Sequence, residues 1–159
     1  MSYFTSRRGM TMMELIIVLT ITSSLALFAA PRFNGLMQRS ALRSSRQQIE
    51  SMVATARAAA IQKGRPAAFW VNGQRIGVRA VINDSGATIA LVPSVRLDSL
   101  HKVTLTLGGS ADTAIVFSSR GYATPRLGGT VIYKLQIGSR TDSTCVTSIG
   151  QILGESCAK

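Results

Sequence analysis

Apolar and polar positions divide the chain into three stretches with different periodicities. Over residues 10–30 the side chains are apolar, small or hydroxyl-bearing, and Glu14 carries the only charge. This stretch is long enough to cross a hydrocarbon core as a helix that rises about 1.5 Å per residue. We therefore expect a single membrane-spanning helix over 10–30. Arg7 and Arg8 precede it and predict a cytoplasmic N-terminus by the positive-inside rule.

The second stretch, residues 31–63, continues the helix in amphipathic form. Pro31 predicts a kink, because proline lacks an N–H and clashes with the preceding turn. Gly64 and Pro66 predict the end of the helix, so we expect it to run over residues 11–62. Apolar residues recur at spacings of three and four and therefore share one face, namely Ile49, Met52, Val53, Ala56 and Ala60.

The third stretch, residues 64–159, consists of short β-type runs separated by turn residues. Asn72 and Gly73 predict a type I′ hairpin between the first two strands. Further strands are predicted over residues 88–92, 102–107, 114–117, 130–137 and 145–149. The whole pattern predicts an α+β fold, in which the amphipathic half of a long N-terminal helix packs on a C-terminal antiparallel β-sheet domain.

The charge of the chain favours anionic partners. Eighteen Lys and Arg against seven Asp and Glu give a formal charge of +11 over 159 residues. Lipid head groups, nucleic acid and acidic protein faces are the partner classes that such a charge attracts. Arg39, Arg43 and Arg46 share one helix face. They fit two hypotheses, a face turned to solvent or head groups and a contact with acidic faces of neighbouring subunits.

Few residues support catalysis or metal binding. His101 is the only histidine, and no phosphate-binding GxxxxGK[ST] loop is present. We therefore expect neither an enzyme nor a cofactor, metal site or small-molecule substrate. Cys145 and Cys157 lie close together in sequence. They form a disulfide if the compartment is oxidising, and the alternative is two buried thiols.

Glu14 needs an explanation, because an ionised carboxylate in lipid costs several kcal/mol unless it is paired, neutralised or hydrated. One hypothesis is that its side chain reaches the head groups. The other is that it pairs with a cation of another chain. A cleaved secretory signal fits poorly, because the small-residue triplet at 24–26 lies inside the apolar run and Pro31 directly follows that run.

A motif that begins at Gly9 and reads GMTMMELI resembles the type III signal of type IV pilins and type II secretion pseudopilins. Met10 stands where that family most often has phenylalanine. The resemblance implies a leader over residues 1–9, held at the membrane by Arg7 and Arg8, and cleavage by prepilin peptidase between Gly9 and Met10. It also implies methylation of the new Met10 amine, and pairing of Glu14 with that amine on a neighbouring subunit.

Two more stretches resemble H-type pseudopilins and FimT-type minor pilins, namely ATARAAAIQKGRPAAF at 54–69 and FSSRGYA at 117–123. The resemblance implies a minor pseudopilin at or near the tip of a type II secretion pseudopilus. Its partners would be prepilin peptidase, other pseudopilins or pilins, and inner-membrane lipid. It would first be a single-pass inner-membrane protein with residues 31–63 and the β domain in the periplasm, and would then join the pseudopilus.

The alternative is a FimT-like minor pilin that primes assembly of a type IV pilus or binds DNA for uptake. The charge falls from +11 to +9 once Arg7 and Arg8 are removed, which is compatible with phosphate contacts. A weak anion contact would use Arg120, Arg126, Lys134 and Arg140. Residues 149–153 read IGQIL, without the Gly-Arg pair of family members proposed to hold DNA, which argues against this role. A plain anchored protein is a third hypothesis and predicts that Glu14 is dispensable.

Overall fold

The structure is a computed structural model that describes part of the chain. The predicted leader, with Arg7, Arg8 and Gly9, lies outside the described residues, and so does Arg126. For residues 28–32 and 124 the structure describes the backbone and not the side chains. The chain divides into two compact units, Met1–Met37 and Gln38–Lys159, and each is described by itself. The described residues are 10–83, 86–108, 114–124, 130–147, 149–154 and 157.

Helix α1, Met12–Lys63, begins in the first unit and ends in the second. Its bounds differ from the predicted 11–62 by one residue at each end. At its start, the Glu14 N–H donates to Thr11 Oγ1 at 3.2 Å, so Thr11 serves as the N-cap. At its end, Gly64 adopts a φ of +61°, a left-handed conformation that stops helices without strain. The helix assignment includes Pro31, and the kink there stays a prediction.

The first unit exposes its apolar side chains. Between Met10 and Met37 the large apolar residues of the described set are 43% to 81% exposed. They are Met10, Met12, Met13, Leu15, Ile16, Ile17, Val18, Leu19, Ile21, Leu25, Leu27, Phe33, Leu36 and Met37. Within the described residues, no helical stretch combines the length and the apolarity needed to cross a membrane.

The second unit contains the hydrophobic core. The predicted apolar stripe of α1 is buried, with Ile49, Ala56 and Ala60 at 0% exposure, which confirms its assignment to one core-facing side. These side chains belong to a single cluster with residues of both sheets, including Phe69 and Tyr133. The Phe69 and Tyr133 rings meet edge to face with centroids 5.7 Å apart. An α+β fold with a shared core is therefore confirmed.

One five-stranded antiparallel sheet has the order β3-β2-β1-β5-β6. Its strands are β1 Ala67–Asn72, β2 Arg75–Val81, β3 Thr88–Arg96, β5 Ala114–Phe117 and β6 Ala123–Thr124. The β1–β2 loop is Gly73-Gln74, not Asn72-Gly73, because Asn72 pairs with Arg75. Gly73 has a positive φ and Gln74 does not, so the turn fits type II′ and the predicted type I′ is wrong.

A four-stranded antiparallel sheet has the order β4-β7-β8-β9. Its strands are β4 Thr104–Gly108, β7 Val131–Ile137, β8 Arg140–Val146 and β9 Ile152–Leu153. The prediction of a strand over 145–149 is wrong at both ends, because β8 begins five residues earlier, at Arg140, and ends at Val146. The first part of β8 reads RTDST, which lacks the apolar alternation that identifies strands in sequence.

A short helix, α2 Leu97–His101, was not predicted. It buries Leu97 completely, and His101 is its last residue. At its start the Arg96 guanidinium hydrogen-bonds the Asp98 carboxylate, which holds the pKa of Asp98 below its ordinary value. Five residues are too few for helical periodicity to be visible in the sequence.

The Gln74 side chain links the two sheets. Its Nε2 donates to the Leu105 carbonyl at 3.1 Å, and the Leu105 N–H donates to Gln74 Oε1 at 2.7 Å. An amide side chain here replaces the backbone of a neighbouring strand at the edge of β4. Two hydrogen bonds thereby join the β1–β2 turn to β4, so the Gln74 amide and the backbone groups of Leu105 each have a partner where they are partly buried.

Candidate functional site

The first candidate site is the start of α1. Thr11 and Glu14 occupy the N-cap and N3 positions, which is the spacing of a capping box, and the Thr11 hydroxyl accepts the Glu14 N–H. An acidic side chain in the first turn also lies against the partial positive charge of the helix N-terminus. This cap was not predicted, although the T-x-x-E pattern before an apolar run is its usual sequence signal.

The polar side chains that follow Glu14 are hydrogen-bonded within the helix. Thr20 Oγ1 donates to the Ile17 carbonyl, Thr22 Oγ1 to Val18 and Ser24 Oγ to Thr20, each at 2.8 Å. Internal bonds of this kind remove the cost of burying a hydroxyl in an apolar medium. The exposed apolar side chains of this part of α1 therefore suit apolar surroundings, with Glu14 as the one charge over residues 10–27.

The second candidate site is a basic cleft in the Gln38–Lys159 unit, with a volume of about 490 Å³. Its helix side comes from α1 and its strand side from the first residues of β8. The residues that line it are Arg39, Leu42, Arg43, Arg46, Arg140, Thr141 and Asp142. Leu42 is buried and anchors the helix, while Arg39 and Arg43 are exposed at the spacing that puts them on one face. We call this surface the arginine cleft.

One arginine of the cleft is already paired with carboxylates. Arg46 Nη1 lies 3.4 Å from Asp142 Oδ1, and Arg46 Nε lies 3.7 Å from Glu50 Oε1. The Thr144 hydroxyl, which is buried, also lies 3.4 Å from Glu50 Oε1. The Asp142 carboxylate accepts the Ser143 N–H at 2.8 Å. These contacts attach α1 to β8 by paired rather than isolated charges.

Within the part of the chain described, Arg39, Arg43 and Arg140 have no acidic partner. The carboxylates of Glu50 and Asp142 pair with Arg46, and that of Asp98 pairs with Arg96. The cleft therefore holds one neutralised arginine and three whose charge is uncompensated. A guanidinium presents five N–H donors in a fixed plane that matches a carboxylate or a phosphate. The chemistry of the cleft is consequently that of an anion-binding surface.

The structure does not bring the predicted anion-contact residues together. Lys134 lies on β7 and pairs with Ser143, while Arg140 pairs with Ile137, so the alternation of side chains puts Lys134 and Arg140 on opposite sheet faces. Arg120 is exposed in the turn after β5, which belongs to the five-stranded sheet and not to the sheet of β7 and β8. Arg140 instead joins Arg39 and Arg43 in the arginine cleft. Strand register decides this grouping, and the sequence does not display it.

The FSSRGYA segment forms the end of β5, a tight turn and the start of β6. Ser118 N–H donates to the Tyr122 carbonyl at 2.9 Å, and Gly121 N–H to the Ser118 carbonyl at 2.8 Å. Gly121, at a φ of +80°, packs against α1, where an added Cβ would lie 2.8 Å from Ile61 Cδ1. The segment thus fixes the β5–β6 turn on the helix, which is a structural role.

Cys145 and Cys157 are joined by a disulfide in the structure, with Cα atoms 5.8 Å apart. Cys145 belongs to β8 and is buried, and β8 also pairs with β9 at Leu153. The bond therefore holds the chain after β9 against the second sheet. Among the residues that the structure describes, no group of three His, Cys, Asp or Glu side chains could hold a metal ion.

No protein-family model and no curated protein matches this chain. Solved structures do match. The type IV minor pilin FimU of Pseudomonas aeruginosa superimposes with a TM-score of 0.60 and 16% identity, over 78% of this chain and 95% of FimU. A second crystal form of FimU gives a TM-score of 0.56, over 74% and 95% of the two chains, with 16% identity.

The minor pseudopilin EpsH, from the type 2 secretion system of Vibrio cholerae, gives a TM-score of 0.55 and 13% identity, over 74% of this chain and 98% of EpsH. The fold is pilin-like. The long α1 helix on antiparallel sheets agrees with the pilin-like resemblance of the GMTMMELI motif. At these identities the shared property is the fold, and the match extends over nearly the whole of both solved chains.

Proposed function

We propose that this pilin-like chain is an H-type minor pseudopilin of a type II protein secretion system, assembled at or near the tip of the pseudopilus. Prepilin peptidase cleaves it between Gly9 and Met10, and the new Met10 amine is methylated. Before assembly the chain resides in the inner membrane by one span over residues 10–30, with its β domain in the periplasm. After assembly, the same segment packs among the helices of other subunits.

A single observation carries this proposal, namely the exposed apolar surface over residues 10–27, where Glu14 is the one charge. A soluble monomer rarely exposes so large a contiguous apolar patch. Lipid and apolar helices of other subunits are two environments that would cover it, and an assembling subunit meets both in turn. The internally bonded hydroxyls of Thr20, Thr22 and Ser24 support burial in either environment.

A minor pilin of a type IV pilus is the second candidate. The observation in its favour is the likeness to FimU, which has a TM-score of 0.60 over 78% of this chain. Both candidates require the same leader, cleavage and helix. The machine is distinguished by deleting the chain's gene and measuring two phenotypes in the native cell. Loss of secreted proteins from the medium indicates a type II system, and loss of surface pili indicates a type IV pilus.

The decisive experiment for processing is the intact mass of the membrane-extracted protein from its native cell. We expect a chain that begins at Met10 and carries one added methyl group. A Gly9→Val variant should keep its leader, because the peptidase accommodates a small residue before the scissile bond. A native chain that begins at Met1 or Ser2 contradicts the proposal, and so does one that begins after residue 26 or 30.

Glu14 allows pairing to be separated from helix capping. Glu14→Gln keeps a residue that can serve at N3 of a capping box but removes the charge. We expect this variant to be cleaved normally and to be depleted at least about tenfold from sheared filaments, since its neighbour's amine loses its counter-charge. Thr11→Ala is the matched control, because it removes the cap and retains the Glu14 charge. Normal incorporation of Glu14→Gln would contradict the pairing.

A further inference from the structure

We propose that the arginine cleft binds an acidic segment of a different protein subunit, through the side chains of Arg39, Arg43 and Arg140. This inference rests on the proposed function for the existence of such a subunit. It adds a partner surface in the Gln38–Lys159 unit that is separate in sequence from the Glu14 segment. The expected ligand is a run of Asp or Glu side chains in an extended or helical segment.

The geometry of the cleft supports binding of several carboxylates at once. Arg39 and Arg43 are one helical turn apart on α1, and Arg140 faces them from the first position of β8. Leu42, between the two helix arginines, is buried in the core, so the arginines project from a fixed surface. The volume of about 490 Å³ accommodates a few side chains, which is the scale of a short acidic segment.

One carboxylate in the cleft and another beside it favour a protein ligand over a nucleic acid. Asp142 lines the cleft and Glu50 lies beside it, both in contact with Arg46. A phosphate backbone carries charge at every nucleotide and would bring some of its charges against these carboxylates. An acidic side-chain segment can direct its charges to Arg39, Arg43 and Arg140 individually. Arg46 stays paired, so its desolvation is already compensated.

A second copy of this chain offers a poor ligand. The sequence has seven acidic residues, and three of those in the second unit are engaged within the chain. Glu50 and Asp142 contact Arg46, and Asp98 is hydrogen-bonded to Arg96. Two copies also repel each other, since each keeps a formal charge of +9 after the proposed removal of Arg7 and Arg8. The complementary partner is therefore a chain with a clustered excess of Asp and Glu.

The test uses the full chain purified in a non-ionic detergent and a fluorescent hexaglutamate peptide, read by anisotropy at low and moderate salt. Arg39→Ala/Arg43→Ala should weaken binding about tenfold or more, since two charge-assisted hydrogen bonds are lost. Arg75→Ala/Arg79→Ala is the matched control. It removes the same charge from exposed positions on β2 and should change binding less than about twofold.

A charge reversal provides a second measurement. Arg39→Glu/Arg43→Glu should lose hexaglutamate binding and gain binding of a hexalysine peptide, whereas the same reversal at Arg75 and Arg79 should not exchange the preference. Equal losses in the two alanine double variants would overturn the proposal, because net charge alone would then explain binding. A short DNA duplex or inorganic phosphate that displaces hexaglutamate from the wild-type chain at lower concentration would also overturn it.

Failure of this inference is distinguishable from failure of the proposed function. The intact mass of each arginine variant reports cleavage at Gly9 independently of peptide binding. A correctly processed chain that does not bind hexaglutamate contradicts the proposal that the arginine cleft binds an acidic segment and leaves the pilin-like role unaffected. An unprocessed native chain that still binds hexaglutamate through Arg39 and Arg43 refutes the pilin-like role and retains an acid-binding cleft.

Discussion

Gly86 and Gly150 have the same backbone conformation in different surroundings. Both have a φ of +81°, a region that L side chains rarely adopt. Around Gly86 an added Cβ meets nothing within 4 Å, whereas at Gly150 it would lie 2.9 Å from Cε1 of Phe117. Phe117 is fully buried, so its ring has little room to move. Substitutions at these two glycines therefore distinguish the cost of backbone strain from the additional cost of side-chain crowding.

We expect Gly150→Ala to be more destabilising than Gly86→Ala. Both variants incur the left-handed penalty of about 1–2 kcal/mol, and Gly150→Ala should lose about 1–3 kcal/mol more through overpacking against Phe117. Urea unfolding of the full chain in a non-ionic detergent measures both free energies. Equal losses would show that the Phe117 ring yields, and Phe117→Leu in the Gly150→Ala background should recover part of any excess.

Of the two candidate sites, the sequence could predict only the one whose residues are adjacent in the chain. The motif at Gly9 to Glu14 is local, so a pattern of adjacent residues was enough to select Glu14. The arginine cleft combines Arg39 and Arg43 with Arg140, which is distant in sequence. Their proximity depends on which face of β8 packs on α1. That choice is made by tertiary packing, and a one-residue change of register would reverse it.

At the scale of elements, strong local signals gave the bounds of α1 to within one residue and those of β5 correctly, and weak signals did not give correct bounds. The long helix ends at Lys63 because Gly64 and Pro66 stop it, and both signals are visible in the sequence. Strand β5, Ala114–Phe117, is apolar and was predicted with its full bounds. The polar start of β8 and the two residues of β9 are strands only because neighbours pair with them. Tertiary context overrides propensity there.

The amide of Gln74 gives a prediction about how two elements are coupled. Gln74→Ala should destabilise the chain by about 1–3 kcal/mol, because the Leu105 N–H and carbonyl lose their partners in a half-buried position. Gln74→Glu is the matched control, since it keeps an acceptor for the Leu105 N–H and removes the donor. We expect an intermediate loss, and faster hydrogen exchange at Leu105 in the alanine variant only.

The disulfide predicts a second element-scale effect. It closes a loop between residues 12 positions apart, and the chain-entropy model assigns about 3 kcal/mol to such a loop. Cys145→Ser/Cys157→Ser should therefore lower the urea midpoint, and a reductant should lower that of the wild type but not of the double variant. An unchanged wild-type midpoint in reductant would indicate that β8–β9 pairing alone retains the C-terminal segment.

At the scale of the whole molecule, the division into two units separates assembly from folding. The first unit carries exposed apolar side chains, and the buried hydrophobic cluster of the described residues begins at Leu42. Removing the first 37 residues therefore removes no described core side chain. It does remove Glu14 and the apolar surface that we propose to enter lipid and the filament. Folding and assembly should consequently respond to different truncations.

We expect a chain that starts at Gln38 to fold without detergent and to unfold cooperatively in urea, because its core is complete. A chain that starts at Ser51 is the control. It lacks Leu42 and Ile49, each worth about 2–5 kcal/mol, and the Arg46 contacts to β8, and should lose cooperative unfolding. The native cell provides the second readout, since the Gln38 chain should be absent from sheared filaments. A Gln38 chain without a cooperative transition would show that the first unit stabilises the core.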